Sequence, residues 1–160
     1  DPPEVQAIVD RLGPDPLRAD ADPQKFIDRV LRSRAPIATL LMDQSVIAGT
    51  GNIFRAEVLF RVGIDPSTPG KAIGAARARE IWDDMLTLRE VGLDRGRIDT
   101  VRPEHEPAAM GRPPRVDDHG GEVYVYRRHG QPCWVCGSPI LTKTIGGRIL
   151  FWCPTCQAGA

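Results

Sequence analysis

The stretch Leu40-Leu-Met-Asp-Gln-Ser-Val-Ile-Ala-Gly-Thr-Gly-Asn-Ile-Phe-Arg-Ala-Glu-Val-Leu-Phe-Arg-Val-Gly-Ile-Asp-Pro66 decides the fold. It begins at the end of a short helix that runs from Pro36 through Ile37, Leu40 and Leu41 to Met42. A loop follows with two glycines one residue apart, Gly49 and Gly51. The loop ends on Asn52, a residue type favoured at helix N-caps. Ile53, Phe54, Val58, Leu59 and Val62 then recur at helical spacing and form one apolar face. Gly63 ends this helix, and Pro66 forbids a restart.

Working outward, the neighbouring segments are helical as well. Asp22-Pro23 pairs a cap residue with proline at the first helical position. Phe26, Ile27, Val30 and Leu31 follow at helical spacing, and Ala35-Pro36 interrupts. From about Lys71 to Val91, Ile81, Trp82, Met85, Leu86 and Leu88 give a broad apolar stripe. All these apolar residues read as core. Residues 1–22 read as a linker in which Val5, Ile8 and Val9 form one helical turn. Within them Leu12-Gly-Pro-Asp-Pro-Leu17 is a stiff connector, because each proline restricts its predecessor. Residues 103–121, rich in Pro, Gly and charge, read as a mobile linker. Beyond it Val123-Tyr-Val-Tyr126 alternates like a short strand. Ile140–Ile145, Gly146-Gly147 and Arg148–Trp152 read as a β-hairpin with a glycine turn.

Four cysteines occur, all near the C-terminal end: Cys133-Trp-Val-Cys136 and, after sixteen intervening residues, Cys153-Pro-Thr-Cys156. Two C-x2-C knuckles flanking a hairpin have the spacing of a zinc ribbon. Gly137 suits the turn after the first knuckle. The alternatives are two disulfides or a redox pair. Disulfides need an oxidising compartment, and no signal peptide begins the sequence. A redox pair opens a helix after a strand, and none is visible here. The reading is one structural zinc on Cys133, Cys136, Cys153 and Cys156. Four thiolates complete a tetrahedron, so His129 reads as a surface residue and no open position is left for catalysis. The predicted architecture is mainly α, with a zinc-bound β-hairpin after the helices.

The net charge is zero, but its distribution is uneven. Residues 1–22 carry a balance of −4. Residues 123–160 hold Arg127, Arg128, Lys143 and Arg148 and no acid, a balance of +4. The C-terminal end is therefore the place to look for phosphate contacts, with Arg128, Lys143 and Arg148 as candidates. Arg148 stands just past the hairpin's glycine turn, where a rigid tip makes a good phosphate probe. The Gly49–Asn52 loop is the second candidate. Two residues without side chains admit a close backbone, and a helix N-terminus with an amide beside it suits an anion. No Ser/His/Asp signature, Walker loop or H-E-x-x-H helix is present. Glu104-His105-Glu106 lies in the presumed linker and is not read as a site. No apolar run is long enough to cross a membrane.

The run from Leu40 to Pro66 resembles the helix–two-turn–helix segment of the formamidopyrimidine-DNA glycosylase/endonuclease VIII family. Gly130-Gln-Pro-Cys-Trp-Val-Cys-Gly137 and Gly147-Arg-Ile-Leu-Phe-Trp-Cys-Pro-Thr-Cys-Gln157 resemble its zinc finger. Leu12–Leu17 looks like the join between that family's two domains. Gln44 and Arg55 look closer to the endonuclease VIII branch. The resemblance implies an activity of excising oxidised bases from DNA and cutting the abasic strand by elimination, with the damaged nucleotide flipped out. It also implies that Asn52 and Arg148 grip phosphates beside the lesion. Leu150 departs from the family pattern, which usually has a small or polar residue there.

The family's nucleophile is an N-terminal proline amine in a β-sandwich domain. No such domain is expected ahead of Leu12, and Pro3-Glu4 does not fit its start. No catalytic residue is therefore assigned, and the chain is expected to be inactive alone. The expected organisation is a linker remnant over 1–22, a helix–two-turn–helix domain over 23–102, a linker over 103–122 and a zinc-finger hairpin over 123–160. The expected partner is damaged or abasic double-stranded DNA, bound by a cytoplasmic, nucleoid-associated bacterial monomer with no membrane contact. The DNA-binding set is Asn52, Arg148, Gly49, Gly51, Arg128 and Lys143. Two rival readings are a zinc-ribbon module that docks a protein, and a lyase that uses another amine.

Overall fold

The computed structural model describes residues 3–4, 11–116 and 121–158. The helical turn predicted around Val5, Ile8 and Val9 lies outside the described residues. The predicted mainly α architecture with a terminal hairpin is present: helices come first, and a two-stranded antiparallel sheet follows.

Helix α1 (Pro23–Leu31) is capped by Asp22, whose carboxylate accepts the Gln24 N–H at 3.0 Å. It buries Phe26, Ile27 and Val30. Helix α2 (Ile37–Leu40) is shorter than predicted. Helix α3 (Asn52–Val62) ends at Gly63, whose φ of 79° gives the left-handed cap expected. Helix α4 (Ala75–Arg95) starts four residues later than predicted. Residues Gly70–Ala72 form a separate 3-10 turn, and Gly74 in a positive-φ conformation sets the new start. Phe26 of α1 and Trp82 of α4 meet with ring centroids 5.7 Å apart.

The segment before α1 is tied to the helices. Gly13 N–H donates to Gln44 O (2.7 Å), and Ala48 N–H donates to Pro14 O (3.0 Å). Residues 103–116 are not the structureless linker that composition suggested. Pro103–His105 forms a 3-10 turn and helix α5 spans Pro107–Met110. The following chain is strapped down by Glu122, which accepts from Arg112 Nη1 and Arg115 N–H at 2.7 Å each. Arg112 and Arg128 then sandwich the Trp134 ring at 4.0 and 3.6 Å. Proline and charge signalled disorder, but these arginines are spent on one acid and one indole.

Val123–Tyr126 is not the predicted strand. All four side chains are buried, so the alternation had no solvent side. The backbone pairs instead with one carboxylate. Glu57, fully buried on α3, accepts the N–H of Tyr124 (2.6 Å), Val125 (2.9 Å) and Tyr126 (3.0 Å), and the Thr100 hydroxyl. Three donors that a ladder would have used are satisfied by a side chain from another element.

Strands β1 (Leu141–Ile145) and β2 (Arg148–Trp152) pair from Leu141↔Trp152 to Ile145↔Arg148. Gly146 (φ 64°) and Gly147 (φ 74°) make the two-residue turn. Both have the positive φ that matches the strands' twist. Leu150, the departure from the family pattern, is 1% exposed and part of the shared core. Gln157 docks the hairpin on α3's end: its amide donates to Ile64 O (3.1 Å) and accepts the Cys153 N–H (2.8 Å).

Gly121 packs against the chain after α4. A Cβ there would lie 1.5 Å from Ile98 O. Gly121→Ala should therefore cost about 3 kcal/mol or more in urea unfolding, because a backbone carbonyl cannot step aside. Gly92→Ala is the control. Its Cβ would meet nothing nearer than 3.6 Å, so helix propensity should leave it neutral or up to about 1 kcal/mol more stable. Equal losses in both would show that the contact at Gly121 is unimportant.

Candidate nucleic-acid interface and metal centre

The metal centre is built by two knuckles. In the first, Cys133 N–H donates to Ser138 O (2.8 Å) and Gly137 N–H to Cys133 O (2.9 Å). Gly137 takes the positive φ (78°) expected of it. The Val135 and Cys156 N–H groups point at sulfur, 3.4 Å from Cys133 Sγ and Cys153 Sγ respectively. Ser138 and Thr155 hydroxyls join the knuckles at 2.8 Å. The hairpin brings all four Sγ atoms within 4.8 Å of one another, with 3.9 Å between Cys133 and Cys156 and 3.4 Å between Cys136 and Cys153. A tetrahedron with Zn–S bonds of about 2.3 Å has sulfurs roughly 3.8 Å apart, so this set fits zinc. No pair is bonded as a disulfide. His129 is exposed and lies against Phe151, outside the cluster, as expected.

The second site lies where α3 meets the hairpin. Asn52 is the first residue of α3 rather than its cap: Gly51 holds the cap position and supplies no side-chain bond. The first backbone bond runs from Arg55 N–H to Gly51 O (3.1 Å), so the N–H groups of the first turn face outward. Freed from capping, the Asn52 amide donates to Ile149 O on β2 at 3.0 Å.

Arg55 fixes this arrangement. It is fully buried and, among the described residues, makes four hydrogen bonds, none to a carboxylate. Nε donates to Asn52 Oδ1 (3.0 Å), Nη1 to Ala38 O and Ile145 O (3.1 Å each), and Nη2 to Arg148 O (3.3 Å). The carbonyls of Ile145 and Arg148 bracket the glycine turn. Burial, and then the nearby Arg148 cation, lower the Arg55 pKa to about 10. Arg55 is still charged at neutral pH, and its charge adds to that of Arg148 beside the same surface. Two cations with no carboxylate partner among the described residues, beside a helix N-terminus, make a place for an anion.

Gly49, Gly51, Asn52, Tyr126 and Arg148 are among the residues lining one shallow depression here, of about 370 Å³. Four of the six sequence-predicted DNA-binding residues thus come together. Gly51 faces open space, with nothing within 4 Å of a would-be Cβ. Gly49 has a second reason to be glycine, since a Cβ would meet the Arg89 guanidinium at 2.3 Å. Gln44 braces the loop, accepting the Gly49 N–H at 3.0 Å.

The other two candidates lie elsewhere. Arg128 is 3% exposed, stacks on Trp134 and donates to the carbonyls of Tyr124 and Pro132. Burial lowers its pKa to about 10. It is a cation of the finger's interior, and the phosphate role predicted for it is withdrawn. Lys143 Nζ donates to Ser67 Oγ (3.0 Å) and sits 3.8 Å over the Trp152 ring. It ties the hairpin to the loop after α3, away from the depression. Sequence reading missed the functions of Arg55, Glu57 and Gln157. A signal was present for Arg55: it lies three and four residues before Val58 and Leu59, on the face assigned to the core. A charge at such a position marks a buried network.

A family model described as the formamidopyrimidine-DNA glycosylase H2TH domain matches residues 12–102, more than half of the chain. The chain belongs to the formamidopyrimidine-DNA glycosylase H2TH family. Residues 130–159 match the zinc finger found in FPG and IleRS, so the four cysteines are those of a structural zinc site. The chain is 52% identical over 154 residues to Endonuclease 8 1 of Mycobacterium bovis, covering 96% of this chain and 56% of the relative. It is 35% identical to the formamidopyrimidine-DNA glycosylase of Methylobacillus flagellatus, covering 99% of this chain and 55% of the relative. The higher identity to the endonuclease agrees with what Gln44 and Arg55 suggested. The chain spans little more than half the length of these relatives. Among solved structures, it superposes on the MutM (Fpg) protein of Thermus thermophilus with a TM-score of 0.76 at 27% identity, over 100% of this chain and 58% of the other. The Lactococcus lactis Fpg bound to DNA containing an abasic site matches with a TM-score of 0.75 at 25% identity, over 96% of this chain and 54% of the other.

Proposed function

We propose that this chain is the DNA-gripping part of a base-excision-repair glycosylase/AP lyase for oxidised bases, and that Asn52 and Arg148 hold phosphates beside the lesion. The observation that carries the reading is the Arg55 clamp. It holds the first residue of α3 and the hairpin tip together around a depression that Arg148 borders. Gly51, which faces open space, leaves that depression open to a phosphodiester. Residues 23–102 act as the helix–two-turn–helix domain and 123–160 as the finger, with 1–22 and 103–122 as connections. The partner is damaged or abasic duplex DNA, met as a monomer in a bacterial cytoplasm. Among the described residues no helix is long and apolar enough to cross a membrane.

No base-reading side chain is assigned, so binding should be strongly salt-dependent and weakly sequence-dependent. The test is fluorescence anisotropy of a duplex carrying a stable abasic-site analogue. Asn52→Ala and Arg148→Ala should each weaken binding roughly tenfold on any sequence. Arg148→Ala should also lower the slope of log K against log salt by about one. Unchanged affinity in both variants, or binding by the protein that ignores salt, would remove this assignment.

A further inference from the structure

We propose that Ile149 is an apolar contact to the groove of the bound duplex, touching its sugar and base-edge surface one residue beyond the Arg148 phosphate contact. The inference rests on the DNA-gripping reading above. A single exposed apolar side chain ordinarily needs no explanation. What singles out Ile149 is its place and its rigidity. It is 55% exposed, whereas Leu150 and Phe151, the next residues of β2, are 1% and 8% exposed and make the strand's core contacts. Its cross-strand partner Thr144 is exposed as well, so this pair of the hairpin faces solvent.

The backbone that carries Ile149 is clamped at two successive carbonyls. Arg55 Nη2 holds Arg148 O at 3.3 Å, and Asn52 Nδ2 holds Ile149 O at 3.0 Å. The side chain is thus presented from a fixed position, one residue beyond Arg148, which lines the depression. Ahead of it the turn is slender, because Gly146 and Gly147 bring no side chains to it. Successive side chains leave a strand on opposite faces. A tip that enters a groove with Arg148 against one wall therefore offers Ile149 to the other. The walls of a DNA groove carry sugars, whose apolar surface rewards that contact, and minor-groove proteins do combine arginines with apolar side chains, there as wedges between base steps. A protein partner would meet the same cations, but it would not call for an uncapped helix N-terminus and Arg148 flanking the apolar residue.

The test compares the protein with Ile149→Thr and Ile149→Val by anisotropy on the abasic-analogue duplex at several salt concentrations. Thr keeps the β-branch that suits the hairpin. Zinc content and melting temperature establish that each variant is folded. Ile149→Thr should bind about fivefold more weakly with an unchanged salt slope, because no phosphate contact is lost. Ile149→Val should bind nearly as the parent does. Parent-like affinity in Ile149→Thr, or a salt slope that falls as it does in Arg148→Ala, overturns the inference and leaves the phosphate grip standing. Absence of salt-sensitive binding by the unaltered protein overturns both.

Discussion

Stripping zinc with a strong chelator should unfold the finger and reduce affinity for the abasic-analogue duplex at least a hundredfold. Structural zinc contributes roughly 10–16 kcal/mol in small finger modules, far more than a hairpin of this size gains from its own packing. The hairpin has only two strands, and two knuckles close its open end. Burial works to raise Cys136, but hydrogen bonds from Ser138 bring it down to about 6, while burial pushes Cys153 and Cys156 up. Loss of the finger removes Arg148 directly. It also frees Asn52 and Arg55, whose partners include Ile145 O, Arg148 O and Ile149 O. Cys133→Ser should act in the same direction by removing one ligand. Near-ultraviolet circular dichroism of Trp134 and Trp152, read beside anisotropy, checks this. Zinc-free protein that still binds DNA with full affinity would show that the metal does not hold the grip.

Glu57→Ala should lower the unfolding free energy by about 3–5 kcal/mol, a melting shift of roughly 10 °C or more. The substitution leaves three backbone N–H groups and a Thr100 hydroxyl facing an emptied, buried space. Each unsatisfied donor costs about 1–3 kcal/mol unless water enters. The Glu57 charge also favours the buried Arg128 cation, partly offsetting the burial that lowers its pKa. Glu57→Gln keeps the volume but turns a donor amide toward donors, so it should fall between the two. A loss below about 1 kcal/mol in Glu57→Ala would mean that water replaces the carboxylate. Because Glu57 holds the entry to the finger against α3, the alanine variant should also bind DNA more weakly while still retaining zinc.

The zinc ligands were legible because spacing alone sets them: two knuckles and a hairpin of matching length leave few other geometries for four cysteines. The hairpin turn was legible for a similar reason, since two glycines between β-prone segments fix both register and turn type. Asn52 and Arg148 were legible as candidates through loop chemistry and position. Arg128 was misjudged because a charge count does not distinguish a solvated cation from one buried against an indole, whereas Lys143 stays part-exposed but lies outside the depression. Val123–Tyr126 was misjudged because alternation signals a half-buried strand only where one side meets water, and here neither does.

Local rules therefore determined where α1, α3, α4 and the hairpin lie, and which four sulfurs share a metal. Periodicity, caps, glycine turns and cysteine spacing act over a few residues and need no partner to be read. Tertiary structure alone decided how those elements become one surface. Arg55, Glu57 and Gln157 are polar side chains buried between α3 and the finger, and each is satisfied by backbone groups far away in the chain. A polar residue shows in its sequence that it must find partners once buried, but only the packed chain supplies those partners. That packing places Asn52 beside Ile149 and Arg148 beside the open end of α3.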